Sequence, residues 1–262
     1  MDFLTVSATT LAVVVLLMVL TAIWSRVVGR VSVIDVTWGS AFVVVAVVCA
    51  LFAGDWRSWL LVALTGVWGG RLAWHILKRS HGAGEDPRYE ELLDGGGFGT
   101  AVRKVFLVQG LAIWLISLPL QAAAVVDVWA VWIVGLGVVV WAVGLYFEVV
   151  GDAQLAAYKA RPKGEKPPVM DQGLWGWTRH PNYFGDACLW WGLWLVGGLA
   201  SGWLPGLLTV VAPIAMTFFI RNVTGAKLLE KTMSTRPGWD EYAARVPLFF
   251  PRPPRRGRVA DL

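Results

Sequence analysis

Charge is what this sequence has least of. Only 16% of its 262 residues are charged, while 56% are hydrophobic. Soluble domains run near ~25% charged residues, so at this length too little polar side chain exists to cover a water-facing surface. A soluble globular protein is excluded on that ground. Two Cys are too few for a disulfide-stapled secreted module, and the apolar content is too high for disorder. His75, His81 and His180 lack metal-ligand spacing and Cys49 and Cys188 lie 139 positions apart, so no zinc or di-iron site is expected. Gly95-Gly96-Gly97-Phe98-Gly99 follows no strand, is no Rossmann or Walker loop, and reads as a flexible connection. No internal repeat or heptad array is present, and nucleic acid is not an expected partner.

What is there is a series of apolar runs near the length that crosses a bilayer, about 20 residues. Seven can be drawn: 4–24, 33–53, 58–77, 105–125, 128–150, 184–200 and 203–220. The first has neither a basic leader nor an A-x-A cleavage site and reads as a retained helix. Gly197, Gly198, Ser201 and Gly202 part the last two, which predicts a tight helical hairpin. The fold class expected is an all-α, polytopic membrane helical bundle of about seven transmembrane helices. Residues 1–250 are read as one transmembrane domain, with about 128–250 as its second half, followed by a basic, disordered tail at 251–262.

Lys and Arg alternate between the connections. Arg26 and Arg30 follow the first run; Lys78, Arg79, Arg88, Arg103 and Lys104 follow the third; Lys159, Arg161, Lys163, Lys166 and Arg179 follow the fifth. Nine more lie beyond residue 220, whereas the opposite connections carry Arg57 alone. By the positive-inside rule the N-terminus is expected outside and the C-terminus in the cytoplasm. Trp24, Trp56, Trp59, Trp129 and Trp203 cluster near run ends, as interfacial anchors do.

Ionisable groups inside apolar runs are costly and point to function. Asp35 opens the second run. Trp68, Arg71, His75 and Arg79 recur every three or four residues and share one helix face. Glu148 and Asp152, and again Asn182 and Asp186, are four residues apart. These groups suggest a polar cavity at the cytoplasmic side of the bundle. Structural pairing, such as Arg71 with Asp35 or Glu148, explains individual members equally well.

The most informative stretch is Gly173-Leu174-Trp175-Gly176-Trp177-Thr178-Arg179-His180-Pro181-Asn182-Tyr183-Phe184-Gly185-Asp186. Pro181 suits a first helical turn, which leaves backbone N–H groups beside Arg179 and His180, a setting suited to an anion. This segment resembles the cofactor-binding motif of the membrane superfamily that includes steroid 5α-reductases, sterol C14 reductases and isoprenylcysteine carboxyl methyltransferases. With Asp35-Val36-Thr37-Trp38-Gly39, Arg71-Leu72 and His75, Gly84-Glu85-Asp86-Pro87-Arg88-Tyr89, Gly151-Asp152-Ala153-Gln154-Leu155 and the C-terminal Glu230, Tyr242 and Pro247-Leu248-Phe249-Phe250-Pro251, the chain is most similar to the bacterial DUF1295 branch, the steroid 5-alpha reductase family proteins.

The resemblance implies an NADPH-dependent reductase of a C=C bond conjugated to a carbonyl in a lipophilic substrate taken from the bilayer, with membrane lipids as its other partner. It implies that Glu148, Asp152, Lys159, Asn182 and Asp186 contact the dinucleotide, with Arg179 near its phosphates and His180, Tyr183, Glu230 and Tyr242 completing the cofactor-binding set. The Asn182 and Asp186 spacing favours the reductases over the methyltransferases. In steroid 5α-reductases a Glu on helix 2 and a Tyr on helix 3 polarise the enone carbonyl. Asp35 and Trp68 stand at those places, and Trp68 has no hydroxyl. Candidate proton donors are therefore Asp35 in its protonated form, His75 and Tyr89. The alternatives are an S-adenosylmethionine-dependent lipid methyltransferase, with Arg179 and His180 by the methionine part and Glu230 closing the pocket, and a non-catalytic lipid-binding relative.

Overall fold

A computed structural model describes residues 2–162, 164–223 and 225–254, and for 228, 231 and 232 only their place in a helix. Lys163 and the basic tail from 255 onward lie outside the described residues. Helix is the only regular structure among the described residues, as bilayer-length apolar runs demand: hydrocarbon offers no partner for a backbone N–H or C=O, so each run satisfies itself internally. The long helices are α1 (Phe3–Val28), α2 (Ile34–Ala53, led in by a 3₁₀ turn at Val31–Val33) and α3 (Trp56–Ser80). After the short α4 (Pro87–Leu93) come α5 (Phe98–Ile116), α6 (Leu118–Ala123), α7 (Val131–Ala160), α8 (Pro181–Gly197), α9 (Trp203–Val223), α10 (Ala226–Met233) and α11 (Trp239–Arg245).

Six of these helices are long and apolar enough to cross a membrane. Three expected runs are corrected. The run at 105–125 is not one helix: α5 stops at Ile116, the backbone turns at Ser117, and Pro119, with no N–H to continue the ladder, sits in the first turn of α6. The run at 128–150 continues for ten further residues, so that α7, at 30 residues and roughly 45 Å, exceeds a ~30 Å hydrocarbon core and carries Asp152 and Lys159 on its last turns. The run at 184–200 is a helix of 17 residues, about 25 Å. The Gly-rich stretch 95–99 is also structured: Asp94 and Gly95 take left-handed φ values of 48° and 72°, and α5 starts three residues later.

Helix ends are written in the sequence. Asp2, Asp55 and Asp86 cap α1, α3 and α4, their carboxylates accepting from the N–H of Thr5, Ser58 and Arg88 at 2.8, 2.7 and 2.9 Å. Gly54, at φ 69°, ends α2 immediately before the Asp55 cap, which makes the α2–α3 turn tight.

The chain forms two compact units. The first takes residues up to Val138 together with Leu193–Ala212; the second takes Val139–Gly192 together with residues from Pro213 on. In the first, α2 crosses α3 glycine to glycine: a Cβ on Gly39 would stand 2.7 Å from the Gly69 carbonyl oxygen. Small residues at such crossings let backbones approach where lipid supplies no hydrophobic drive. Arg57, the lone cation of its side in the sequence, is fully buried there, donating to the Ser201 hydroxyl at 2.9 Å and to the carbonyls of Ala123 and Val126. In the second unit α7 crosses α8 in the same manner, with a Cβ on Gly144 falling 2.6 Å from the Gly185 carbonyl oxygen.

Candidate functional site

Each unit carries a polar cluster. In the first, Asp35 on the opening turn of α2 meets the segment that follows α3. Every polar member of Glu85-Asp86-Pro87-Arg88-Tyr89 has a task. Glu85 accepts from the N–H groups of Val31 and Ser32, the latter at 3.0 Å, at the free N-terminus leading into α2. Asp86 caps α4, and Pro87 takes the first helical position. Arg88 Nη2 reaches Asp35 and Asp86, both at 2.8 Å, and the buried Tyr89 hydroxyl donates to Asp35 Oδ1 while accepting from Gln109 Nε2 at 3.2 Å. Arg30 pins the same segment through the carbonyls of Ser80 and Ala83 at 2.9 and 2.7 Å.

The electrostatics follow from these contacts. Burial pushes the Glu85 carboxyl up, but the hydrogen bonds from Ser32 and Val31 outweigh it and hold the group below the usual carboxylate range. The Arg88 guanidinium holds Asp86 low against the opposing effect of burial, and Asp86, with Asp35, raises Arg88 in return. Burial, then the Asp35 charge, push the Tyr89 phenol up, so it keeps its proton throughout the neutral range.

Of the residues singled out on α3, His75 and Trp68 are not in this cluster. His75 is exposed. Trp68 is fully buried and packs against the Phe42 ring at 5.8 Å.

In the second unit the Gly144–Gly185 crossing brings Glu148 and Asp152 of α7 beside the first turns of α8. Pro181 does open α8, and Gly151 faces it, a Cβ there falling 3.1 Å from Pro181 Cγ. Asn182 Nδ2 donates to Asp152 Oδ1 at 3.1 Å, Glu148 is buried and Asp186 half-buried. Lys159 is exposed at the end of α7. Three carboxylates and one carboxamide thus gather near this crossing, a set rich in acceptors. It suits ligand N–H and hydroxyl groups and is unsuited to phosphate.

A second group in this unit is gathered on Glu230. Arg179 Nε donates to Glu230 Oε1 at 2.7 Å and its Nη1 to the Ala243 carbonyl at 2.8 Å, so its guanidinium is engaged within the protein. His180 Nε2 lies 3.2 Å from the same carboxylate oxygen, and its ring stacks on Tyr183 at 5.5 Å. Burial pushes Glu230 up, but His180 and Arg179 outweigh it and hold the carboxyl low. Tyr242 donates to the Trp175 carbonyl at 2.8 Å, and burial raises its phenol.

The sequence reading gave no role to several residues that build these clusters. Arg88 and Gln109 complete the Asp35 cluster. Trp175 donates from its indole to the Gly151 carbonyl at 2.9 Å, and Gln154 accepts from the Leu174 N–H at 2.9 Å. Gln154 lies over Gly173, whose φ of 60° and lack of a Cβ let it approach. That glycine was the available signal.

An all-helical chain with six helices long and apolar enough to cross a membrane is compatible with the class of multi-pass helical membrane proteins. More narrowly, the chain belongs to DUF1295, described as a protein of unknown function, whose family model matches residues 9–246. No curated protein and no solved structure matches it.

Proposed function

We propose that this protein is an integral membrane NADPH-dependent reductase of a C=C bond conjugated to a carbonyl in a lipophilic substrate. The observation that carries the reading is the Asn182–Asp152 hydrogen bond beside Glu148 and Asp186. Its acceptors match the carboxamide and sugar hydroxyls of a nicotinamide nucleotide. When bound, NADPH supplies a hydride. Its phosphates fall to Lys159 and other exposed loop cations, because Arg179 is engaged with Glu230.

Within the first unit, the candidate proton donor is Tyr89. The sequence offers no hydroxyl at Trp68, and Tyr89 supplies one that is hydrogen-bonded to Asp35. Asp35 acts as the carboxylate that orients the phenol, since Arg88 and Tyr89 both donate to it. The finer topology belongs to this proposal too: seven spans with α8 the shortest, the N-terminus outside, the C-terminus in the cytoplasm, and a bacterial inner membrane as the location.

A second reading, an S-adenosylmethionine-dependent lipid methyltransferase, is favoured by one feature. Glu230 is gathered by both Arg179 and His180, the residues that reading needs around its cofactor. Titrating purified protein with each cofactor separates the two. Saturable NADPH binding, weakened in both Asn182→Ala and Asp186→Ala, is expected. Saturable S-adenosylmethionine binding without NADPH binding overturns the reductase, and unchanged NADPH affinity in both variants removes its main support.

A further inference from the structure

The first unit has a feature that the proposed reaction does not use. A groove of about 340 Å³ runs between α1 and α5, from Leu11 to Arg26 on one wall and from Leu111 to Phe98 on the other. It is apolar along its length, and Arg26 is its one charged lining residue. Gly110 forms part of its floor: a Cβ there would fall 2.9 Å from Met18 Cγ. At the Arg26 end it meets a second recess of about 200 Å³, which Arg26 and Phe98 also line, together with Arg30, Gly96 and Gly97. Among the described residues no carboxylate lines either space. The Arg26 guanidinium lies 4.5 Å over the Phe98 ring, which holds a planar cation at the junction of the two.

We propose that this groove is a binding site for one anionic phospholipid, an acyl chain along α1 and α5 and the phosphate at Arg26. Length supports the assignment: Leu11 to Arg26 is 15 helical steps, roughly 22 Å, which is close to half of a ~40–45 Å bilayer and so to one leaflet. Polarity supports it as well. An apolar channel that ends in Arg26 is complementary to an amphiphile with a negative head. A zwitterionic lipid brings a second cation to Arg26 and gains less there, and a free phosphate leaves the groove unfilled.

The test is lipid retention by the whole protein, extracted from membranes containing equal phosphatidylglycerol and phosphatidylcholine of matched chains, and read by native mass spectrometry. Wild type retains phosphatidylglycerol preferentially. Arg26→Gln lowers that preference about fivefold, the effect of one interfacial cation. Arg103→Gln, an exposed cation that lines neither space, leaves it unchanged. Ala22→Leu, which fills the groove and keeps the charge, lowers retention of both lipids and serves if Arg26→Gln does not fold. Equal retention of the two lipids by wild type, or equal loss of preference in Arg26→Gln and Arg103→Gln, overturns the proposal. So does inorganic phosphate that raises thermal stability as much as phosphatidylglycerol does. None of these outcomes depends on whether NADPH binds.

Discussion

The α7–α8 crossing makes a prediction in which one substitution changes sign along a single helix. Gly185→Ala places a Cβ 2.5 Å from the Gly144 carbonyl oxygen and 2.6 Å from the Glu148 nitrogen, both backbone atoms that no rotamer change can move. Ordinary contact begins near 3.4 Å, so the helices must part by about 1 Å, an overpacking cost of roughly 1–3 kcal/mol. The same shift stretches the 3.1 Å Asn182–Asp152 hydrogen bond beyond its useful range. Losing that bond costs about 0.5–1.5 kcal/mol, or roughly 2- to 10-fold in affinity for a ligand that depends on it. Gly144→Ala meets the Gly185 oxygen at 2.6 Å and behaves alike. Gly135, on the same helix, has nothing within 4 Å of its would-be Cβ, so Gly135→Ala gains helix propensity, up to about 1 kcal/mol. Thermal unfolding of purified protein, with NADPH titration alongside, reads both effects. At about 2–4 °C per kcal/mol, Gly185→Ala and Gly144→Ala melt several degrees lower and Gly135→Ala slightly higher. Wild-type melting and affinity in the two crossing variants refute the close approach and the site built on it.

Tyr89→Phe and Asp35→Asn are expected to lower kcat about 10²–10⁴-fold while leaving NADPH affinity intact, measured by NADPH oxidation against an enone panel. Lys159→Gln is expected to weaken NADPH binding and flatten its salt dependence, whereas Arg179→Gln lowers thermal stability, because it leaves Glu230 without its 2.7 Å partner. Arg57→Leu should cost about 3 kcal/mol or more, since the Ala123 and Val126 carbonyls and the Ser201 hydroxyl lose a buried donor. The Glu230 carboxyl is held below its ordinary value, so its stabilisation is present above the unfolded value near 4 and is lost as pH falls through the lower folded value. Glu230→Gln should remove that acid-limb contribution from a series of unfolding curves; an acid limb unchanged by the substitution refutes the assignment.

Much of this was legible because the signals were local. Helix type followed from run length and the start of α8 from Pro181, whereas the Asp2, Asp55 and Asp86 caps at other helix starts were not singled out. The Asn182 to Asp186 spacing drew attention to the first turns of α8, where Asn182 meets Asp152. Side-chain pairings across the chain were not legible. Arg88 was one cation among five in its connection, yet it reaches Asp35 53 positions away, the partner that Arg71 had been a candidate for. Arg179 looked free for an anion because its partner, Glu230, is 51 residues downstream. The break at Ser117 was hidden in an unbroken apolar run, where Pro119 was the sole hint.

The fold also decides which of the scarce charges remain to be explained. Arg30 donates to the carbonyl of Ser80, the last residue of α3; Arg57 to that of Ala123, the last of α6; Arg179 to that of Ala243, in the last turn of α11. Asp2, Asp55, Glu85 and Asp86 do the converse work at helix starts. A helix end leaves up to about four unsatisfied groups, and near hydrocarbon water cannot serve them all, so a charge placed there completes the backbone. Glu148 and Asp152 are different, because they sit in the body of α7, where the backbone ladder is already closed. Asp186 likewise lies inside α8, beyond its first turn. No helix end requires these three acids, and an apolar chain holds a carboxylate in such a place at a cost. Their gathering at the one crossing where Gly144 and Gly185 admit close approach is therefore the strongest reason to look for this protein's chemistry there.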